Sequence, residues 1–305
     1  MIVYRELSTL ERDLGFSAKT LYAVSNSIDR HYHKVTLPKK SGGTRTLSVP
    51  DEILKKIQRA IAEKLLAYHP VSQYAKAYKP AASVKRNAMP HVGKKKLLKL
   101  YILHFFDSVL YNTVKDRVFP ETVFSEKLRI LLSMLCYYRD VLPQGAPTSP
   151  VITNIILYDF DETIGDFCLS RGIAYTRYCD DMTFSGDFDE KEIIKTVQQE
   201  LNARGFLLNR KKTAVVPSSK RQVVTGIVVN EKLSLSRSAR RSLRQALYYC
   251  KTYGVSEHLA HCGIHDTPKH YLESLLGKIA YALSIDPDDS ELLNCKETVT
   301  RLLQE

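Results

Sequence analysis

The spacing of apolar and polar positions predicts a chain that mixes helices and strands and ends in a helical region. The first fifty residues predict short helices followed by a β-hairpin, in which residues 36–38 and 44–50 flank a Gly-Gly turn. Apolar residues then recur at helical spacing over residues 51–69. From residue 236 onward the spacing predicts helices, interrupted once at 262–268.

The middle of the chain predicts helices packed on one face of an antiparallel sheet. Dense apolar residues at 97–109 predict a buried strand that turns into a helix, and residues 173–186 predict a hairpin. The other elements predicted here are helices at 120–138, from 149 onward and at 190–204, and strands near 213–216 and 223–229. The resulting order of elements is typical of an α+β fold.

Composition and charge favour a folded protein with polyanionic partners. The chain has 305 residues, 44% of them hydrophobic, which is enough to bury a substantial core in one multi-lobed unit or two to three subdomains. Lys and Arg total 45 against 33 Asp and Glu, so the formal net charge is +12. Such a charge favours nucleic acid or anionic lipid, because neutralised phosphates release counterions.

The targeting and cysteine patterns indicate a reduced, cytoplasmic protein. No apolar run approaches the roughly 20 residues that span a bilayer, so we expect no membrane partner. The N-terminus lacks a basic start followed by an apolar stretch, so we expect no secretory signal. The six cysteines lie far apart without a Cys-x-x-Cys pair, which predicts buried thiols rather than zinc ligands or disulfides.

Two adjacent carboxylates are the most informative chemical feature of the chain. Asp180 and Asp181 lie between β-prone stretches, so a tight hairpin would carry both charges at its tip. Carboxylate oxygens bind hard divalent cations, and nucleotide polymerisation commonly uses two Mg²⁺ ions about 4 Å apart. The pair therefore predicts part of a Mg²⁺ site. The competing interpretation, from dipeptide frequency alone, is a solvated Asp-Asp turn.

Motifs around this pair resemble those of reverse transcriptases. Residues 142–150 read Leu-Pro-Gln-Gly-Ala-Pro-Thr-Ser-Pro, and Tyr-Cys-Asp-Asp follows at 178–181. The resemblance implies a right-hand polymerase fold of fingers, palm and thumb, with an antiparallel palm sheet and a helical thumb. It also implies two Mg²⁺ ions bound by Asp180 and Asp181, with Gln144 packed beside the incoming deoxynucleoside triphosphate.

Basic and aromatic positions extend the resemblance. Residues 40–45 (Lys-Ser-Gly-Gly-Thr-Arg) resemble the family's fingers motif, and residues 209–213 (Asn-Arg-Lys-Lys-Thr) resemble its lysine-bearing segment. The resemblance implies that Arg45 and Lys212 bind the nucleotide and that Phe106 lies beneath its sugar, where an aromatic ring selects deoxynucleotides. Taken alone, the basic positions are solvated surface charges and Phe106 is a core residue.

Two further segments resemble retron reverse transcriptases, a bacterial group. Residues 87–91 (Asn-Ala-Met-Pro-His) and 224–226 (Val-Thr-Gly) match its NAxxH and VTG signatures, which implies that Asn87, His91 and Thr225 bind nucleic acid. The resemblance implies an RNA-directed DNA polymerase that copies a structured noncoding RNA into a short DNA product, in antiviral defence with a separate effector protein. Taken alone, the two segments are a loop and a strand end. A group II intron-like reverse transcriptase is the alternative.

The resemblance also divides the chain into segments. The predicted fingers are residues 1–96 and 115–141, the palm is 97–114 and 142–232, and the helical thumb is 233–305. On the first thumb helix, Arg237, Arg241 and Arg244 recur at three- and four-residue spacing along one face. Beside a polymerase palm, this stripe predicts contact with nucleic-acid phosphates, whereas elsewhere it indicates a solvated face.

One position departs from the family. The first metal-binding aspartate of reverse transcriptases begins an Asp-Ile-x-x-Phe-Phe-x-Ser-Ile segment, and the matching residues 101–109 begin with Tyr101. The resemblance further implies the backbone carbonyl of Ile102 as a metal ligand. A neutral phenol cannot bridge two divalent ions as a carboxylate does, and Asp107 should point elsewhere. We therefore predict weak or absent Mg²⁺-dependent polymerisation.

Two hypotheses from different classes follow. The first is an active retron-type reverse transcriptase, and the second is a catalytically silent RNA-binding scaffold that retains the same fold. Tyr101 favours the second, and the other site residues favour the first. Three explanations of Tyr101 stay open: a natural inactive member, a substitution in this copy, or an active site completed in another way.

Overall fold

A computed structural model describes residues 3–38 and 42–304. Its α-helices are α1 (Leu7–Leu14), α2 (Ala18–Asn26), α3 (Glu52–Ala60), α4 (Val84–Ala88), α5 (Tyr111–Thr113), α6 (Glu126–Cys136), α7 (Thr148–Ile156), α8 (Tyr158–Leu169), α9 (Glu190–Asn202), α10 (Arg237–Tyr253), α11 (Val255–His261), α12 (Pro268–Ile285) and α13 (Ser290–Leu302). Its strands are β1 (Tyr32–Pro38), β2 (Thr44–Pro50), β3 (Lys96–Leu103), β4 (Ala174–Tyr178), β5 (Asp181–Gly186), β6 (Leu207–Leu208), β7 (Ala214–Pro217), β8 (Val223–Val224) and β9 (Ile227–Val228). Among the helices of the described ranges, none is long and apolar enough to cross a membrane.

The central sheet has five strands in the order β4-β5-β3-β6, with β7 also paired to β3. β4 and β5 form an antiparallel hairpin, and β3 pairs antiparallel with β6. β1 pairs with β2 and β8 with β9 in two separate antiparallel hairpins. The predicted α+β class with an antiparallel sheet is therefore confirmed.

The chain forms two compact units. The first contains the described residues up to Ala82 together with Leu98–Val215, and the second contains Ser83–Leu97 and the described residues from Val216. In the first unit, buried apolar residues from α3, α6, α7, α8 and α9 pack with the core face of the sheet. The assignment of fingers, palm and thumb segments within these units stays a prediction.

The second unit is mainly a helical bundle, as the sequence predicts for its C-terminal part. Leu247 of α10, Leu275 and Ile279 of α12 and Val299 of α13 pack in one core. Side chains at the starts of the three long helices accept a backbone N–H and so satisfy donors that lack an intrahelical partner. These N-cap residues are Ser236, Thr267 and Asp289.

Two predicted elements differ in extent from the structure. The helix predicted at 120–138 begins only at Glu126, because the preceding residues bond to Tyr4 instead: the Tyr4 N–H donates to the Val123 carbonyl at 2.7 Å. The strand predicted at 223–229 is a tight hairpin, because Thr225 and Gly226 both have positive φ, at 45° and 88°. The pairing with Tyr4 overrides the helical pattern before Glu126, and the turn at Thr225 and Gly226 divides the predicted strand into two.

Gly165 of α8 lies directly against the ring of Tyr74. A Cβ atom at this position would lie 1.9 Å from Cε2 and 2.2 Å from Cζ of Tyr74, so the ring would have to move. We expect Gly165→Ala to lower the free energy of unfolding by about 1–3 kcal/mol through overpacking, as measured by urea denaturation.

Gly277 of α12 provides the matched control, because no atom of the described residues, apart from the chain neighbours and the backbone of the helix itself, lies within 4 Å of a Cβ added there. We expect Gly277→Ala to raise the free energy of unfolding by about 0.5–1 kcal/mol, since alanine is the better helix former. Equal effects of the two substitutions would show that the Tyr74 contact does not constrain position 165.

Candidate active site

The β4–β5 hairpin carries the two adjacent aspartates at its tip. Tyr178 pairs with Asp181 across the hairpin, so Cys179 and Asp180 form a two-residue turn. Cys179 has a φ of 61°, in the left-handed region that residues other than glycine seldom adopt. The acidic hairpin predicted from the sequence is confirmed, and its tip is a strained turn.

Strand β3 places Tyr101 beside this tip. The Ile102 N–H donates to the Asp180 carbonyl at 3.0 Å, which ties the two segments together. Side chains alternate along the strand, so Leu100 and Ile102 face the core while Lys99 and Tyr101 lie on the opposite, half-exposed face. Tyr101 therefore occupies the face on which a metal-binding aspartate is expected.

Lys212 reaches the same place from the segment after β6. The Asn209 N–H donates to the Tyr101 carbonyl at 2.7 Å, and a 3₁₀ turn over Arg210–Lys212 follows. The Lys212 Nζ lies 5.2 Å from the centroid of the Tyr101 ring, a cation–π distance. The structure thus brings together residues that lie more than a hundred positions apart in the sequence.

The electrostatics of the site depend on burial and on the neighbouring charges. Burial, and then the negative charge of Asp180, raise the pKa of Asp181 to about 6, while Lys99 and Lys212 act in the opposite direction. Burial and the two aspartates raise the pKa of Tyr101 to about 12, and a hydrogen bond to Asp181 adds to this shift. Tyr101 is consequently a neutral phenol at physiological pH.

The donor atoms of the site fit a divalent cation only in part. Within the described part of the chain, the Asp181 Oδ1 is buried and has no hydrogen-bond partner, which suits a ligand of a hard cation. Asp180 adjoins it, but the third position holds a phenol instead of a carboxylate. No cluster of three His, Cys, Asp or Glu with metal-binding geometry occurs among residues 3–38 and 42–304. Asp180 and Asp181 therefore provide two carboxylates where the family pattern has three.

The residues predicted to bind the nucleotide lie on segments that contact one another. The Leu142 N–H donates to the carbonyl of Phe106 at 3.3 Å, which joins the loop bearing Gln144 to the segment after β3. Gly145 has a φ of 128°, and a Cβ atom there would lie 2.7 Å from the Ser48 carbonyl oxygen of β2. That close approach brings the β1–β2 hairpin against the loop.

The predicted nucleotide-binding side chains differ in exposure. Arg45 is exposed on β2, whereas Gln144 and Phe106 are half-buried. Phe106 packs against the core, with its ring centroid 5.2 Å from that of Phe105. Lys40 and Ser41 of the predicted fingers motif lie outside the described residues.

Asn87, His91 and Thr225, the residues of the two retron signatures, lie within the second unit. Asn87 and His91 are buried, and the Asn87 Nδ2 donates to the Thr225 Oγ1 at 3.4 Å. The Thr225 hydroxyl donates in turn to the Val84 carbonyl at 3.3 Å. The predicted contact of Asn87, His91 and Thr225 with nucleic acid stays a prediction, and the hydrogen bond between Asn87 and Thr225 also supports the β8–β9 turn.

The basic stripe on α10 is only partly available for a partner. Arg244 pairs with Glu291 of α13 at 3.2 Å, and Arg240 pairs with Asp289 at 2.6 Å. Arg237 and Arg241 are exposed and make no ion pair within the described part of the chain. Of the four arginines of this helix, Arg237 and Arg241 are therefore the two available for a partner.

Sequence reasoning did not identify the residues that support the acidic turn. Asp161 of α8 is fully buried and bonds to Arg177, and Asn154 of α7 bonds to the same guanidinium. The available signal was an aspartate on the apolar side of a predicted helix and an arginine within a buried strand. A charge at a core position indicates that it has a bonded partner, because it is not stable there alone, but the pattern does not say which residue that partner is.

We expect the free energy of unfolding in metal-free buffer to depend on the protonation of Asp181. The pKa of Asp181 is about 6 in the folded protein and 3.8 ordinarily, so the folded state binds more protons between these values. The free energy of unfolding should therefore fall as the pH rises from about 4 to 6. Asp181→Asn should match the parent near pH 4 and exceed it at pH 7 by at most about 3 kcal/mol.

Urea denaturation at pH 4, 5, 6 and 7 with EDTA measures this difference. Asp181→Ser, which also removes the carboxylate, is the matched variant and should lose the same pH dependence as Asp181→Asn. A constant difference between Asp181→Asn and the parent across the range would contradict the prediction.

A telomerase and a viral protease-reverse transcriptase are among the solved structures that this chain matches. Telomerase from Candida albicans in complex with a telomeric RNA fragment superposes with a TM-score of 0.48 at 12% identity, covering 88% of this chain and 63% of that one. A foamy viral protease-reverse transcriptase in complex with DNA gives 0.47 at 14% identity, covering 100% and 50%.

Sequence comparisons establish the family. Residues 37–229 match the family described as Reverse transcriptase (RNA-dependent DNA polymerase). The retron Mx65 reverse transcriptase of Myxococcus xanthus is 33% identical, over 95% of this chain and 71% of that protein. The retron Ec86 reverse transcriptase of Escherichia coli is 28% identical, over 93% and 86%. The chain therefore belongs to the reverse transcriptases, the RNA-dependent DNA polymerases, and within them to the retron type.

Proposed function

We propose that this reverse transcriptase copies part of a structured noncoding RNA into a short DNA strand from deoxynucleoside triphosphates. The observation that carries the proposal is the meeting of Asp180, Asp181 and Lys212 at one end of the central sheet. By resemblance to the retron group, the proposed setting is antiviral defence in the cytoplasm, with a separate effector protein.

The acidic tip is the proposed metal site. Reverse transcriptases use divalent metal ions, and we propose Mg²⁺ held by Asp180, Asp181 and the Ile102 carbonyl. A bound ion would stabilise the charge that develops on the attacking and leaving oxygens. The unpaired, buried Oδ1 of Asp181 supports this assignment.

Four side chains are proposed to bind the nucleotide. Gln144 would pack beside it, and Arg45 and Lys212 would neutralise the triphosphate. Phe106 would exclude a ribose 2′-hydroxyl by steric contact with the sugar. The loop contacts of Leu142 and Gly145 support the proposal, because they hold these positions on adjoining segments.

A second candidate function is an RNA-binding scaffold that does not polymerise DNA. One observation favours it: Tyr101, with a pKa of about 12, places a neutral phenol on Asp181 where the family pattern has a carboxylate. We propose that Tyr101 weakens or abolishes polymerisation in this sequence while the fold and the basic surfaces continue to bind nucleic acid.

Primer extension on an RNA template tests the role of position 101. We expect Tyr101→Asp to raise the rate constant for nucleotide addition roughly 100-fold or more over the parent, because a correctly held metal ion contributes several kcal/mol of charge stabilisation. Tyr101→Asn is the matched control, since it has the size of aspartate without the charge, and it should stay as slow as the parent.

Robust synthesis by all three proteins would contradict the proposed impairment. Absence of synthesis from all three, together with RNA but no DNA bound to protein purified after expression with its neighbouring noncoding locus, would favour the scaffold.

A second test addresses the proposed nucleic-acid contacts of α10. Arg237→Gln and Arg241→Gln should each weaken binding to an RNA–DNA duplex and reduce the slope of log K against log salt by about 1, because each removes one phosphate contact. Fluorescence anisotropy at several salt concentrations measures the slope.

Arg240→Gln serves as the control on the same helix. Arg240 already pairs with Asp289, so its loss should leave the salt slope nearly unchanged and lower the stability of the helical bundle instead. An equal slope change for all three variants would indicate a loss of overall charge rather than of individual contacts.

A further inference from the structure

A fully buried ion pair lies beneath the acidic turn. Arg177 of β4 and Asp161 of α8 each have 0% of their side chain exposed. The Arg177 Nε donates to the Asp161 Oδ1 at 2.8 Å and its Nη2 donates to Oδ2 at 2.6 Å, so the contact is bidentate. The Tyr175 hydroxyl donates to the same carboxylate at 2.8 Å.

The same guanidinium bonds to the turn itself. The Arg177 Nη1 donates to the carbonyl oxygen of Cys179 at 3.0 Å. Cys179 is the residue with a φ of 61°, and a strained conformation of this kind persists only where its surroundings hold it. The Tyr78 hydroxyl adds a contact by donating to the Cys179 Sγ at 3.3 Å.

The network continues to a third element and to a loop. The Arg177 Nη2 also donates to the Asn154 Oδ1 of α7 at 3.2 Å, and the Asn154 Nδ2 donates to the Ala77 carbonyl at 2.9 Å. The backbone of Arg177 pairs with the same loop, because its carbonyl accepts from the Lys76 N–H at 2.7 Å. Arg177 thus connects two helices and the turn through its side chain, and the loop through its backbone.

Stability alone does not account for this arrangement. A buried ion pair is often no better for stability than apolar residues of similar volume, because both charges lose their hydration. The planar guanidinium group, in contrast, points its N–H groups in fixed directions and so determines where a bonded carbonyl oxygen lies. The Cys179 carbonyl belongs to the peptide bond that precedes Asp180, so its position sets the course of the backbone into both aspartates.

We propose that Arg177 and Asp161 are positioning residues for polymerisation. Asp161 orients the guanidinium, the guanidinium holds the Cys179 carbonyl, and the turn then directs the carboxylates of Asp180 and Asp181. Neither residue of the pair touches the substrates. The inference rests on the proposed function in that it takes these two aspartates as the metal ligands.

Hydrogen exchange tests the positioning without any need for catalysis. Arg177→Lys keeps a positive charge for Asp161 but lacks the fork, and Arg177→Met removes the charge. In both, backbone amides at 178–182 should exchange at least roughly 10-fold faster than in the parent, because the turn opens locally. Mass spectrometry of peptides covering 174–186 measures the exchange rates. Each variant is measured at the same number of degrees below its own unfolding temperature.

Arg129→Met is the matched control. Arg129 is also nearly buried, in the same unit, and donates to the Phe119 carbonyl at 2.8 Å and to Asp116 and Glu126. Its loss removes ion pairs to carboxylates that are more than half exposed and are remote in sequence from the turn. We expect lower stability in this variant and unchanged relative exchange at 178–182.

A second measurement addresses the chemistry, in the Tyr101→Asp background. Arg177→Lys and Asp161→Asn should each lower kcat roughly 10- to 100-fold and raise the Mg²⁺ concentration for half-maximal rate, with little change in the KM for deoxynucleotide. Arg129→Met should change neither kcat nor the Mg²⁺ dependence. A merely structural role would reduce the amount of folded protein without moving the Mg²⁺ requirement.

The outcomes separate this inference from the proposed function. Exchange at 178–182 that is unchanged in both Arg177 variants, or equally faster in Arg129→Met, overturns the positioning role. Normal Mg²⁺ dependence in active Arg177→Lys also overturns it. If Tyr101→Asp itself does not extend a primer, the proposed function is in question, while the exchange rates still decide whether the pair holds the turn.

Discussion

The guanidinium of Arg177 and the carboxylate of Asp161 meet without solvent, and the acidic turn depends on that contact. Removing two charges from water is costly, so the pair is stable only because its remaining donors and acceptors are also bonded. Tyr175, Asn154 and the Cys179 carbonyl fulfil this condition. The constraint acts in both directions, since the turn completes the network and the network holds a backbone conformation that cysteine alone disfavours.

Next to the Arg177–Asp161 network, the acidic tip carries two negative charges that repel each other. Two half-buried carboxylates lie together, and the neighbour of Asp181 on β3 is a neutral phenol. Lys99 and Lys212 offset part of the repulsion but provide no ligand oxygen. The Arg177–Asp161 pair holds the turn, whereas position 101 lacks the third carboxylate. The chain can therefore retain the family fold while its polymerisation is proposed to be impaired.

The second unit uses its polar residues differently. Asn87 and Thr225 of the two retron signatures bond to each other, so motifs far apart in the sequence form one local structure. On α10, two arginines form ion pairs with the first residues and N-cap of α13, and the other two form none within residues 3–38 and 42–304. Residue type alone predicted neither the burial of Asn87 nor the ion pairs of the α10 arginines. In the sequence, a buried asparagine cannot be distinguished from one that binds a ligand, nor a paired arginine from an unpaired one.

The sequence by itself determined the class of fold, the acidic hairpin, the helical C-terminal region and the departure at Tyr101. The first three follow from local periodicity and turn residues, which act over short distances along the chain, and the departure at Tyr101 follows from the resemblance to the reverse transcriptase motif. Only the tertiary structure decided that Arg177 and Asp161 pair beneath the turn and that Asn87 and His91 are buried. Such facts depend on which distant segments share one desolvated volume, and no local pattern encodes that.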